Sequence, residues 1–586
     1  MSKINKIYSA FFNGVSQQNA ELVLDNQCRE MTNCIPDIVR GIKKRPPAKL
    51  VGALLPDTNP NIAQSKIVHS YDRGEDDEEY YIMATENSSD PVRVYNKAGV
   101  EMNVTYDSAT EASCKTYLSA GNLRGLTVQD RTWLYSRNKT ITVDKSLTAP
   151  LSANYDRVAY YWLKRGSGDR FNPFNYAVYL DNTTFAVDPV KPSVGGTNAQ
   201  NPPTGAEDSD KAAELLAAKI NANSTWTCTR NGSILKIVKA NGGDFSFTSW
   251  DSWGNQASEG WKESVNRITQ LPQDMPFDDS YVRIAGSEGN KFTDYFVKWT
   301  GSAWEECLDP KADRGLLVDM PLRMDRISLT SGIATFYIDQ IDWSPPRVGN
   351  EENNSDPSFV GRKVTDLFFY KNRLGITSDD SITLTEAANY RNFYVTTAID
   401  TVTTDVVDLT VSTNQASNIY FAKPFNNSLY VFTKYAQYEV TNEGPFGPNT
   451  VSVESVTNYP MQTDVEPVVM NNSLYFISVS NNRQQLREYV KADNLSVQGV
   501  DLNISTPTYI DKPVTSLIAD GVIGIVMCCT DSGTAYVYNY KDDGASRIQS
   551  AWSTWELFEG ITPDSVEWTS LGTSVGIWMK RQGNYV

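Results

Sequence analysis

Short apolar runs rich in Tyr, Trp and Phe recur over most of the chain, and polar Asn-Gly, Asn-Asn and Asp-Gly pairs separate the runs. Aromatic residues favour strands, and those pairs are what tight hairpin turns require, so the pattern predicts strands joined by hairpins. Two stretches follow the helical period instead. In 209–221, Ala212, Leu215, Leu216, Lys219 and Ile220 recur at helical spacing, Ser209 is placed to cap, and Asp210 and Glu214 sit toward the positive end. A weaker helical pattern covers 386–394.

The hairpins repeat. Asn426-Asn427-Ser428-Leu429-Tyr430-Val431-Phe432 returns 45 residues later as Asn471-Asn472-Ser473-Leu474-Tyr475-Phe476-Ile477, and each copy is followed by a partner run, 435–440 and 485–490. Looser copies at 79–84, 131–135, 334–338, 373–377, 522–527 and 573–579 bring the number of hairpins to eight. A period of ~45 residues is that of a propeller blade. One hairpin cannot bury its aromatic face alone, whereas blades packed around an axis bury both faces and protect most edges. The expected fold is therefore mainly β, a β-propeller-like array of hairpins, with a β-sandwich as the alternative.

The rhythm stops between Pro150 and about Met320, where the helix, the Pro/Gly-rich stretch 191–205 and Trp250, Trp253 and Trp261 fall. Strands are expected there at 176–179, 233–238, 281–284 and 295–299, the last turning through Thr300-Gly301-Ser302 to Trp304. This organisation predicts an irregular N-terminal arm (1–60), a first part of the propeller (61–150), an inserted α+β domain (151–317) and the rest of the propeller (318–586). Pro46 and Pro47 exclude a central strand in the arm. Lys43, Lys44 and Arg45 are the densest basic cluster in the chain and are expected to make the arm an interface element for an acidic neighbour, with a solvated basic turn as the alternative.

Composition narrows the chemistry. With 586 residues, 40% of them hydrophobic and 21% charged, the chain can bury an extensive core. A net charge of −17 has the wrong sign for broad contact with nucleic acid or an anionic membrane. The single histidine, His69, removes most histidine-dependent catalysis and is expected to be structural. Seven cysteines, an odd number thinly spread, predict buried reduced thiols rather than disulfides or a metal site, with the adjacent Cys528 and Cys529 on opposite strand faces. The apolar run at 8–12 is too short for a signal peptide and no segment has membrane-spanning length, so synthesis in a cytosol is expected.

No phosphate loop, dinucleotide fingerprint, nucleophile elbow or calcium-loop spacing occurs, so no catalytic residue, metal or cofactor is expected. The acidic run Asp72, Glu75, Asp76, Asp77, Glu78 and Glu79 is predicted to be a solvated hairpin loop. The three tryptophans are expected in the core, with an exposed aromatic tip as the alternative.

A further set of short motifs falls in a fixed order. It runs from Gly14-Val15-Ser16-Gln17-Gln18 through 28–33 and Gly41-Ile42-Lys43-Lys44-Arg45-Pro46-Pro47 to Leu271-Pro272, Met275-Pro276, Asp294-Tyr295-Phe296-Val297 and Trp304-Glu305. Met320-Pro321-Leu322, Trp343, Arg347, Val348-Gly349 and Pro357-Ser358-Phe359-Val360-Gly361 follow, then Asp366-Leu367-Phe368-Phe369-Tyr370-Lys371-Asn372-Arg373-Leu374-Gly375. In this the chain resembles the tail nozzle (tail tubular protein B) family of short-tailed bacteriophages, podoviruses, over nearly its whole length. Members of that family are often longer.

The resemblance implies a structural virion protein of the short tail, made in the cytoplasm of the bacterial host. It implies a homo-oligomer, a hexameric ring, forming the distal tube through which the genome leaves. The implied partners are the adaptor (tail tubular protein A) and portal-side proteins above, tail fibres or spikes, transiently passing double-stranded DNA, and the host envelope at the tip. Interface residues are then expected at Gln17, Gln18, Lys43, Lys44, Arg45, Pro46 and Pro47, in a strap at a subunit or adaptor contact. An acidic balance suits a tube that passes DNA without binding it. The rival reading is a propeller that binds glycans or cleaves glycosides, which requires carboxylates or aromatic platforms at the axial mouth. A tail spike ranks lower, since no short β-helical repeat is present.

Overall fold

The computed structural model describes residues 10–52, 65–74, 78–85, 89–164, 175–187, 209–285, 294–411, 418–492, 496–543, 546–558, 560–571, 574–581 and 584–585. Seven small antiparallel units account for the strands outside the arm and the insertion. The first is Lys66–Asp72, Glu79–Ala84, Val92–Asn96 and Glu101–Tyr106. The second takes Leu123–Val128 and Arg131–Ser136 from before the insertion and Leu322–Thr330 and Ile333–Asp339 from after it. The next four follow consecutively within 366–410, 419–457, 468–501 and 514–556, and the seventh has three described strands within 565–585.

The first strands of successive units touch in chain order, and Ser565–Leu571 of the seventh returns to Lys66–Asp72 of the first. A ring of sheets closed in this way around one axis is a β-propeller. The eight expected hairpins make seven blades because 131–135 and 334–338 share the second, its halves parted by the insertion. Asn426-Asn427 and Asn471-Asn472 occupy the same turn, first strand to second, of neighbouring blades. Asn426, Asn427 and Asn471 have φ of 48°, 64° and 52°, the left-handed region that Asn tolerates and a tight hairpin needs.

Aromatic side chains fill the gaps between blades. Phe432 and Phe476, on the second strands of neighbouring blades, lie 5.5 Å apart between ring centroids, and each is fully buried. Burial of one such side chain stabilises by roughly 1.5–3 kcal/mol, so the repeat is a repeat of core contacts. The first two blades are also joined at their outer ends, where Ile333–Asp339 pairs parallel with Glu101–Tyr106. Between them Tyr71, Tyr80, Met324 and Phe336 form one core, sealed by helix α1, Glu111–Leu118, which buries Cys114, Tyr117 and Leu118.

Thr142–Asp144 pairs with Leu316–Val318 at the neck of the insertion. Beyond the neck, helix α2, Ser209–Asn221, buries Ala213, Leu216, Ala217 and Ile220 against strands that include Val158–Leu163 and Ile234–Lys239. A second sheet contains Tyr281–Ile284, Tyr295–Trp299 and Trp304–Cys307. Trp261 is buried against Tyr160, whereas Trp250 and Trp253 are exposed.

Local expectations are corrected, the core placement of Trp250 and Trp253 and the full burial of Cys28 and Cys34 among them. Residues 386–394 form turns, not a helix: the Glu386 carboxylate takes the side-chain amides of Asn389 and Asn392, and Asn392 bonds Tyr394. These local bonds compete with a helical ladder. Helix α1 was not anticipated. In the acidic run, 75–77 lie outside the described residues, but Glu78 is buried and paired with Arg73 and Arg326 instead of solvated.

Candidate assembly and axial surfaces

The arm lies along the outer edge of the sixth blade. Gly14 and Thr32 bridge in parallel to Trp552 and Thr554 of the edge strand Arg547–Glu556, and Gln549 Nε2 donates to the carbonyls of Phe12 (2.7 Å) and Pro36 (3.1 Å). Gly14 has φ of 64°, and a β-carbon there would collide with the Trp552 backbone, so only glycine lets the arm lie flat. Val15 and Met31 enter the core between the fifth and sixth blades. An otherwise open sheet edge is thereby covered.

The expected interface residues fall on this arm with different local roles. Gln17 Oε1 accepts from the backbone N (2.9 Å) and hydroxyl (3.1 Å) of Thr508, while Gln18 Oε1 accepts from Ser16 Oγ. Cys34–Asp37 and Gly41–Lys44 form a hairpin, closed by a Lys43–Asp37 ion pair. Arg45 ties its base, donating to Asn33 Oδ1 (2.8 Å) and the Glu556 carbonyl (3.4 Å). Lys44, Pro46 and Pro47 are exposed, and Lys44 has no ion-pair partner among the described residues.

The propeller axis is occupied by charge. Arg124, on the first strand of the second blade, reaches Glu466 at the head of the fifth, with Nη1 3.1 Å from Oε2. Lys423 of the fourth blade pairs with the other Glu466 oxygen. Asp366 of the third blade accepts from Tyr135 Oη (2.9 Å) and the Ala422 amide (3.0 Å), and Arg137 donates to the carbonyls of Thr365 (2.6 Å) and Tyr420 (3.0 Å). His69 of the first blade bonds Thr127 Oγ1 at 2.7 Å. Five blades thus contribute side chains that meet across the shaft.

Glu466 still shows 42% of its side-chain surface to solvent. Burial acts to raise the Glu466 pKa, but the Lys423 ammonium and Arg124 guanidinium outweigh it and hold the carboxyl below its ordinary range. Burial raises Asp366. Burial also pushes His69 down to about 4, which keeps it neutral. These carboxylates are engaged by cations and donors, so they do not offer a free acid and base at the axial mouth.

Two further polar clamps brace the ring. Arg373 is 1% exposed and donates to the carbonyls of Thr385 (2.6 Å), Asp405 (2.6 Å) and Thr403 (2.7 Å), which fixes the 386–405 excursion to the third blade. Between the fifth and sixth blades, buried Glu488 receives Arg547, Ser473 Oγ (2.8 Å) and Tyr475 Oη (2.7 Å).

A family model described as "Bacteriophage nozzle protein" matches residues 1–586. The chain belongs to that family. This nozzle chain is 25% identical over 571 residues to the tail tubular protein gp12 of Escherichia phage T7, covering 96% of itself and 69% of the relative. It therefore has a structural role in a phage tail. Among solved structures it is similar to a β-propeller domain of Myceliophteria thermophila Cps50 (9% identity, 40% of this chain and 72% of that one, TM-score 0.22). It is also similar to a putative 6-phosphogluconolactonase of Bacteroides fragilis (8% identity, 68% and 98%, TM-score 0.24).

Among the described residues of the nozzle chain all seven cysteines are free thiols, no group of His, Cys, Asp or Glu is arranged to hold a metal, and no helix is long and apolar enough to cross a membrane. The motif 366–375 carries three of the structural roles above. Asp366 lies on the axis, Lys371-Asn372 make a left-handed turn (φ 49° and 58°), and Arg373 is the buried clamp. The cross-axis partners Arg124, Lys423 and Glu466 had no such local signal, since blades far apart in sequence supply them.

Proposed function

We propose that this chain assembles with copies of itself, six in number, into a ring whose shared lumen is the distal tube of a short phage tail and conducts the genome during ejection. Adaptor and portal-side proteins dock above it, fibres or spikes beside it, and its tip meets the host envelope. The observation that carries the reading is the filled propeller shaft of a nozzle-family chain. Side chains from opposite blades approach to hydrogen-bond distance there, whereas the major groove of duplex DNA alone is about 12 Å wide. A DNA path must therefore run between chains. The division into arm, propeller and insertion supports the same reading, with the arm reserved for contacts and the blades for rigidity.

The lumen wall in this proposal is net negative or mixed and has no continuous basic stripe. Assembly buries neutral and paired surface first, because unpaired buried charge is costly, and leaves the acidic excess on the outer and inner walls. Rings of Lys or Arg would form many counterion-releasing phosphate contacts and hold the genome in place.

The test is the mass of the purified protein in solution, together with particle images of it alone and with its tail neighbours. A closed ring of about six copies supports the proposal, and a compact monomer at every concentration overturns it. Duplex DNA titrated onto the assembled protein is expected to bind weakly. Sub-micromolar, strongly salt-dependent binding would replace the passive conduit with a gripping role.

A further inference from the structure

The arm is where the molecule exposes apolar surface out of proportion to its length. Among the described residues 26 large hydrophobic side chains are exposed, and seven of them lie between Leu22 and Val51. Val39, at the tip of the 34–44 hairpin, is 90% exposed, and Ile38 and Ile42 flank it at 39% and 43%. Residues 34–51 also hold five cations against one carboxylate, Asp37, in a chain whose net charge is −17. A free hairpin tip gains nothing from three exposed aliphatic side chains, and scattered exposure does not account for a cluster framed by like charges.

The matching surface is on the third blade. There 349–356 and 395–408 pack together: the Gly349 and Ala398 positions adjoin, and Val395 N donates to Asn354 Oδ1 (3.1 Å). These two segments contain no Lys or Arg and six carboxylates; Asp356 pairs with Arg314, Asp405 is buried and Asp408 accepts from Ser358 and Thr383, which leaves Glu351, Glu352 and Asp400 for the surface. Ile399 (61%) and Val402 (38%) are exposed, beside exposed Asp400, Glu351 and Glu352. The patch offers what the hairpin lacks, apolar surface within a negative frame.

We infer that the arm hairpin of one chain docks, through Val39 and its neighbours, on the Ile399–Val402 surface of the next copy of this chain. The occupant is a second copy because one chain carries both complementary surfaces. They belong to the sixth and third blades, three blades apart in a ring of seven and so nearly opposite around the axis, the third-blade surface lying beside the insertion, whose Glu306 accepts from Thr397 Oγ1 (2.8 Å) and Ala398 N (2.6 Å). Two different patches on opposite flanks make a head-to-tail contact, the kind that propagates around a ring. Apolar burial at the tip supplies affinity, while Arg40 and Lys44 against Asp400, Glu351 and Glu352 set register and encounter rate. The inference rests on the ring proposed above and names its contact.

Cysteine trapping tests it. Chains carrying Val39→Cys are mixed with chains carrying Ile399→Cys, and mild oxidation is expected to give mixed dimers and no larger species. The double variant gives a ladder up to the ring. The wild type is the control for its seven native thiols. Val39→Asp is expected to weaken assembly about tenfold or more, with the monomer's thermal unfolding unchanged. Lys44→Glu is expected to weaken it less and to be restored by Asp400→Lys. Trapping of Val39→Cys chains with one another would mean a symmetric arm–arm contact and would overturn the inference. A ring that persists in Val39→Asp, with no mixed dimers, also overturns it and leaves the ring intact, even if that variant no longer holds another tail protein. A wild type that never forms a ring removes the function proposal, and this contact with it.

Discussion

The axis and the outer edge of this propeller treat their side chains in opposite ways. On the axis every charged group described has a partner: Glu466 takes Arg124 and Lys423, Asp366 takes Tyr135 and a backbone amide, and Arg137 spans two carbonyls. On the arm the polar bonds hold the strap in place, through Gln17, Arg45 and Lys43, and the apolar residues at the hairpin tip face solvent. A buried, satisfied polar network fixes one arrangement of blades, whereas exposed aliphatic surface is stabilising only once something covers it. Specificity of fold is concentrated at the centre, and uncovered apolar surface at the rim.

The comparison breaks first if the interior clamps are removable. Arg547→Met strips the cation from buried Glu488 between the fifth and sixth blades and is expected to cost about 3–5 kcal/mol, read as a large fall in unfolding temperature. A small fall would mean that Glu488 finds another partner. Gly375→Ala is next. Its new β-carbon would meet the Phe368 ring, an overpacking worth about 1–3 kcal/mol. A pocket that opened without loss of stability would show slack in the third blade.

The axial histidine gives a pH-dependent effect. Burial lowers the His69 pKa from 6.5 to about 4, so below pH 6.5 the unfolded chain binds a proton that the folded chain refuses. This contribution is fully present above 6.5 and is lost as the pH falls toward 4. His69→Asn is expected to flatten the decline in unfolding temperature between pH 6.5 and 5, a window above the usual range of the carboxylates. An unchanged slope would place the titrating group elsewhere. The smallest stability effect belongs to the rim. Lys44→Glu is expected to change unfolding by less than ~0.5 kcal/mol, and a larger loss would show that the hairpin is braced by Lys44 and not free for a neighbour.

The propeller was legible because its signal is local and repeated. Asn-Asn turns need left-handed backbone, and the aromatic run after each turn is the face that the next blade buries, so two copies 45 residues apart disclose the array. Cys528 and Cys529 likewise separate as expected, one into the core toward the fifth blade and one toward the seventh. The eight-hairpin count missed the shared second blade because strand pairing across an insertion leaves no trace in local pattern. The turns at 386–394 escaped for the opposite reason: a helical spacing was present, but Asn side chains capture the bonds a helix needs. The arm's exposed apolar tip was invisible in sequence, where Ile38, Val39 and Ile42 read like any other short apolar run.

The bridge from Gly14 to Trp552 joins points 538 residues apart. During synthesis the arm emerges before the blades and has no bed to lie on until the sixth blade exists, so its hairpin acquires a defined position late. Contacts of such long sequence separation form slowly. A chain interrupted before Arg547–Glu556 therefore cannot seat the arm, and limited proteolysis is expected to cut such a fragment near residues 14–33 while sparing the full chain. If the arm makes the contact proposed above, only chains that have already built their sixth blade present it in a defined position, and the strap then reports on the completion of the fold.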